Sequence, residues 1–192
     1  MRTAAERDRT IFTIGHSTRT VEEFVDIMKA FRIELVVDVR TVPRSRHTPQ
    51  FNYDSLPVSL KKAGIEYIHM KGLGGLRHPA KDSRNMGWRN SSFRGFADYM
   101  QETEFRENID ALIELAKGKR VAVMCAEAVP WRCHRSLIAD ALTVRKIPVE
   151  HIMSLTSHRS HSLTPFAKVR GTKITYPPEE QENDLFGDRS ET

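Results

Sequence analysis

The chain has 192 residues, 39% hydrophobic and 29% charged, with 30 Lys and Arg against 25 Asp and Glu for a net charge of +5. That is enough chain to bury one sizeable core and too little for two full domains. No apolar run approaches the roughly 20 residues of a membrane span, the first ten residues hold no apolar signal core, and two cysteines cannot make a disulfide scaffold; the expectation is a cytoplasmic protein with no membrane contact.

The charge is unevenly placed. Residues 177–192 hold six acids and one base, a net of −5, which leaves +10 on residues 1–176. A basic body suits phosphate-bearing partners, and it equally suits a plain solvated surface. The organisation reads as an extension over residues 1–10, one domain over 11–176 and an acidic flexible tail over 177–192.

Residues 11–15, Ile-Phe-Thr-Ile-Gly, are short and β-branched and end at Gly, which predicts a buried strand. Thr20 and Glu23 have the spacing of a capping box, and Val21, Phe24, Val25, Met28 and Phe31 follow at helical period. Residues 35–39 predict a second buried strand, so the chain opens as a parallel βαβ unit. Residues 40–52 carry two prolines and no periodicity, which marks a long loop. A helix over 53–64 with Pro57 in its first turn, a strand over 65–70 and a Gly-containing loop over 71–90 follow. Helices are predicted over 93–100 and 105–117, a buried strand over 120–125, a helix around residues 137–142 and a last parallel strand over 149–153. The architecture is a single-domain α/β three-layer sandwich with a mainly parallel sheet.

Ligands of such sheets bind beyond the carboxyl ends of the strands. His16 and Ser17 follow the first strand; Asp38 and Arg40 follow the second; Lys71 and a Gly-rich loop follow the third; Cys125, Glu127, Cys133, His134 and Arg135 follow the fourth. The sequence places His16, Asp38, Arg40, Cys125, Glu127, Cys133 and Arg135 in one pocket.

Both cysteines lie in residues 124–136, MCAEAVPWRCHRS, where a loop feeds a helix N-terminus. Such a terminus favours anions and lowers a nearby thiol pKa. Four readings compete: two structural thiols, a thiolate nucleophile or redox pair, an anion site built on Arg135 and backbone amides, and a metal site. The spacing C-x7-C is not a standard zinc spacing, so neither metal nor cofactor is assigned. Glu127 is a general acid or base, or the partner of Arg132 or Arg135. Asp38 holds Arg40 or caps a turn. Arg40, Arg44, Arg46 and His47 offer guanidiniums that match phosphate, with Phe51 and Tyr53 as stacking faces; the plain alternative is a solvated loop. Core packing is expected of Trp88 and Trp131.

Four segments together resemble the DUF488 family of bacterial and archaeal proteins: Thr13–Ser17; Asp38-Val39-Arg40 with Arg44-Ser45 and Pro49-x-Phe51; Leu73-Gly74-Gly75; and Cys125-Ala126-Glu127 with Cys133-His134-Arg135. The resemblance spans about residues 11–153 and implies no defined reaction, although some relatives carry a DNA-repair label. Asp38-Val39-Arg40, with a later strand that ends in Cys and leads into Arg-Ser and a helix, also resembles rhodanese-like sulfurtransferases in part. Cys125 and Arg135 stand too far apart for the tight cradle of that group. Three functions stay open at this point: an enzyme acting on a nucleotide, nucleic acid or other phosphate-bearing molecule; a non-catalytic nucleic-acid-binding accessory protein; and a thiol-dependent sulfurtransferase. The tail's Gln181 and Leu185-Phe186 resemble the peptides that dock on a sliding clamp, with one residue too many between them.

Overall fold

The structure, a computed structural model, describes residues 9–178. The N-terminal extension up to residue 8 and the acidic run from residue 179, including the clamp-docking motif, lie outside the described residues.

Six strands form one sheet: β1 (Ile11–Gly15), β2 (Leu35–Asp38), β3 (Glu66–His69), β4 (Val121–Cys125), β5 (Val149–Ile152) and β6 (His158–Ser160), in the order β3-β2-β4-β1-β5-β6. The first five run parallel, and β6 is antiparallel to β5. The four inner parallel strands are buried along almost their whole length, which is why they read as continuous apolar runs. The helices are α1 (Val21–Ala30), α2 (Leu56–Lys62), α3 (Ser91–Tyr99), α4 (Thr103–Gly118) and α5 (Arg135–Thr143).

The core has two halves, one on each face of the sheet. Phe24, Ile27 and Met28 of α1 and Leu56 and Leu60 of α2 pack with Ile14, Val36 and Met124. Phe96 of α3, Ile109 and Leu112 of α4 and Leu137 and Ile138 of α5 pack with Val37, Val123 and both cysteines. This is the expected three-layer α/β sandwich. The capping box forms as read: Thr20 Oγ1 accepts from the Glu23 N–H while Glu23 accepts from the Thr20 N–H.

Three features depart from the sequence reading. A sixth strand and a hairpin, β7 (Lys168–Arg170) with β8 (Lys173–Thr175), follow β5. Their residues are mostly exposed and polar, so no apolar alternation announces them. Trp131 is 56% exposed rather than in the core. Among the described residues no helix is long and apolar enough to cross a membrane.

Candidate active site

β1 and β4 are neighbours, paired from Phe12 with Ala122 to Gly15 with Cys125. From the end of β1 the chain leaves over one face toward β2, and from the end of β4 it leaves over the other toward β5. This is the switch point of an open α/β sheet, where a crevice opens outside the strand ends. A cavity of about 330 Å³ lies there, walled by Arg40, Thr41, Val42, Gly75, Leu76, Asn90, Ser92, Phe93, Cys125–Glu127 and Arg132–His134.

The chain builds this crevice in steps. Beyond β1 the His16 N–H donates to the Cys125 carbonyl and the Ser17 N–H to the Ala126 carbonyl, so the two strands stay zipped past their ends. Gly15 is needed for that closeness: a Cβ there would sit 1.7 Å from the Glu127 carbonyl oxygen. Beyond β4, a 3-10 turn over Pro130–Arg132 swings the chain back and delivers Cys133 to the start of α5.

Cys133 is the centre of the arrangement. Its Sγ receives the Arg135 Nε–H at 3.3 Å and lies 3.7 Å from His134 Nδ1. The ligand atoms of Cys125, Cys133 and His134 all fall within 4.8 Å of one another. His134 Nε2 donates to the Val39 carbonyl at 3.2 Å, which turns Nδ1 toward the thiols. The S–H of Cys125 lowers the Cys133 pKa well below the ordinary thiol value, aided by His134 and Arg135 against burial. Cys125 moves the other way, held up by its bond to Cys133 and by burial. Of the two thiols, Cys133 is therefore the more acidic and Cys125 the less.

Arg135 is only 1% exposed and makes no ion pair with an acid among the described residues. Its Nη2 donates to the Glu127 carbonyl and its Nη1 to Thr13 Oγ1 at 3.4 Å. A buried cation is costly without a partner, and the Cys133 sulfur is the ionisable atom that touches it. Behind it, Thr13 Oγ1 donates to His151 Nδ1 (2.7 Å), His151 Nε2 to His161 Nδ1 (3.0 Å) and His161 Nε2 to Asp140 (2.8 Å). Asp140 also accepts from Thr164 and from the Tyr176 hydroxyl. Burial holds the His151 pKa down at about 3.

The second cluster is structural. Asp38, fully buried, accepts from the Arg40 backbone N–H, from its Nε and Nη2, and from the Tyr67 hydroxyl. Arg40 Nη2 further donates to the Phe51 carbonyl and Nη1 to His16 Nε2. His16 stacks on Phe51 at 4.2 Å between ring centres, and burial lowers its pKa to about 4. Arg40 is therefore consumed largely by the protein itself while its edge lines the cavity.

The other residues singled out in the sequence fall as follows. His134 and the exposed Glu127 line the cavity, and Glu127 forms no ion pair with Arg132 or Arg135. Ser17 sits behind the wall with a left-handed backbone, φ 51°. Arg44 pairs with Asp54 at 3.3 Å over the Tyr53 ring, outside the cavity, and Arg46 is exposed outside it as well. The chain Thr13–His151–His161–Asp140 was not anticipated; the histidine-rich run 151–161 was its one visible trace.

The fold and the crevice define an α/β protein with a dithiol site at its switch point. The chain matches the family described as "Domain of unknown function DUF488" over residues 20–142, well over half its length, and it belongs to that family. No curated protein and no solved structure matches it.

Proposed function

We propose that the protein is a thiol-dependent enzyme in which Cys133 accepts and passes on a sulfane sulfur. The observation that carries this reading is the contact of the buried Arg135 guanidinium with the Sγ of Cys133, a residue that stands just before α5 and lines an open cavity. The positive end of the α5 dipole also favours an anion there, although the Ser136 and Leu137 N–H groups are already taken by the Cys133 and His134 carbonyls. In the first step the Cys133 thiolate attacks the outer sulfur of a persulfide. The donor's S–S bond breaks, its thiolate leaves, and Cys133 carries the extra sulfur as a persulfide. In the second step an acceptor nucleophile takes that sulfur and Cys133 returns as thiolate. The neighbouring Cys125 S–H supplies a hydrogen bond to either anion. In this reading the nucleophile is the second cysteine, Cys133, which the loop after Cys125 carries to the start of α5.

The test is mass spectrometry of the reduced protein after exposure to a low-molecular-weight persulfide. Cys133 is expected to gain one sulfur atom, lost again on adding cyanide. Cys125→Ser should still load and Cys133→Ser should not. Loading of Cys125 alone, or of neither thiol, overturns the proposal. A phosphate-directed function draws its support from the basic body rather than from this cavity, and salt-dependent nucleic-acid binding is its separate test.

A further inference from the structure

We infer that the Cys125, Cys133 and His134 side chains also form a binding site for a thiophilic divalent cation, with zinc as the fitting ion, and that loading it caps the Cys133 nucleophile. The inference rests on the same pocket as the proposed sulfur transfer, but on its ligand geometry rather than on its reactivity.

Three soft or borderline donors stand within 4.8 Å of one another, although they come from a strand end and a helix start eight residues apart. Tetrahedral zinc, with bonds of about 2.3 Å to sulfur and 2.0–2.1 Å to nitrogen, separates a thiolate from an imidazole nitrogen by about 3.6 Å. Cys133 Sγ and His134 Nδ1 are 3.7 Å apart. Side-chain adjustments of a few tenths of an ångström therefore suffice for that pair.

The outer contacts also suit a metal. Imidazoles that bind metals through one nitrogen usually donate the other N–H to a carbonyl or carboxylate, which fixes the tautomer. Here His134 Nε2 donates to the Val39 carbonyl, so Nδ1 is the nitrogen that faces the thiols, and a metal ion would take the place of any proton it shares with Cys133. Gly75 keeps that ring in place, since a Cβ at residue 75 would lie 2.4 Å from His134 Nδ1. The Arg135 N–H on Cys133 Sγ is the hydrogen bond expected at a metal-bound thiolate.

Charge supplies the choice of a divalent ion. Two thiolates and the Arg135 guanidinium sum to one negative charge in a buried cluster. A divalent ion turns this into one positive charge. The Glu127 carboxylate, on the same cavity wall and free of ion pairs among the described residues, brings the total to zero. Three protein ligands leave the fourth position facing the cavity, open to water or to a small ligand.

The full chain, reduced and stripped with a chelator, is incubated with zinc chloride and desalted, and its metal content is measured. One equivalent is expected to stay bound. Cobalt chloride used as a spectroscopic substitute should give the strong near-ultraviolet charge-transfer band of cobalt–thiolate bonds and the intense visible bands of a four-coordinate ion. Cys125→Ser, Cys133→Ser and His134→Asn, each shown to be folded by circular dichroism, should each lose at least ~tenfold in zinc affinity. Zinc should also block alkylation of Cys133. A protein that retains no zinc, or a Cys125→Ser and a His134→Asn that bind as the parent does, overturns the inference. The two proposals fail separately. If metal-free Cys133 loads with sulfur but no zinc binds, only the metal site falls. If zinc binds and metal-free Cys133 never takes up sulfur, only the sulfur transfer falls.

Discussion

Replacing Asp38 with Asn tests how the wall of the crevice is held. The carboxylate is fully buried and is clasped by Arg40, itself 6% exposed, through Nε, Nη2 and the backbone N–H, with the Tyr67 hydroxyl as a further donor. Asparagine keeps the shape but removes the charge, and its NH2 must then face one of those donors. Breaking a buried ion pair from one side leaves the other charge uncompensated and costs about 3–5 kcal/mol. For a chain of this size each kcal/mol lowers the melting temperature by about 2–4 °C, so the fall should be roughly 6–20 °C. The comparison is Tyr67→Phe, which removes one donor and leaves the ion pair, at about 0.5–1.5 kcal/mol. Urea unfolding followed by circular dichroism gives both numbers. If Asp38→Asn costs no more than Tyr67→Phe, the ion pair is not what holds Arg40, and the reasoning fails.

Three further outcomes follow from other contacts. His16 and His151 are held below their ordinary 6.5, at about 4 and about 3, chiefly by burial, so the unfolded chain binds protons that the native chain refuses. Their contribution is fully present above pH 6.5 and is lost as pH falls toward about 4 for His16 and about 3 for His151; the double variant His16→Gln plus His151→Gln should flatten that limb of the stability curve, and an unchanged slope counts against the assignment. Gly15→Ala drives a Cβ into the Glu127 carbonyl, with Arg135 Nη2 at 2.9 Å, and should destabilise by more than the ~1–3 kcal/mol of ordinary overpacking; near-parental urea stability would contradict the strand–loop contact. If the body binds nucleic acid, Arg44→Ala plus Arg46→Ala should reduce the slope of log K against log salt by about 0.7–0.9 for each lost phosphate contact, and an identical slope returns that loop to a solvated surface.

Much of the frame was legible because its signals are local. The strand over residues 11–15, the Thr20 and Glu23 box and the apolar faces of α1 and α4 each follow from a pattern within one element. One fold-level rule, that strand ends on one side of a parallel sheet converge, predicted one pocket for His16, Asp38, Arg40, Cys125, Glu127, Cys133 and Arg135; Arg40, Cys125, Glu127 and Cys133 line the cavity, whereas His16, Asp38 and Arg135 are buried and do not. What stayed hidden depended on direction rather than on pattern. Nothing local tells that the loop after β2 points Arg44 toward Asp54 and away from the crevice. Nothing local links Asp140, a mid-helix acid, to His161 across the last strands. The same is true of which cysteine is the more acidic: that depends on how the Cys125 thiol, His134 and Arg135 are aimed at Cys133, a detail of side-chain geometry.

The row of contacts from Arg135 through Thr13, His151 and His161 to Asp140 and Tyr176 has a consequence for biosynthesis. Cys133 is made before His151, His161 and Tyr176, and at about 5–20 residues per second the nascent chain carries its thiols for seconds before the groups that orient Arg135 exist. Until those residues are made, the contacts that back Arg135 through Thr13 and His151 cannot form. A chain stopped after residue 150 should therefore react with iodoacetamide as an ordinary free cysteine does, and one that keeps the reactivity of the full-length protein would show that the reactive thiol is made without its C-terminal support.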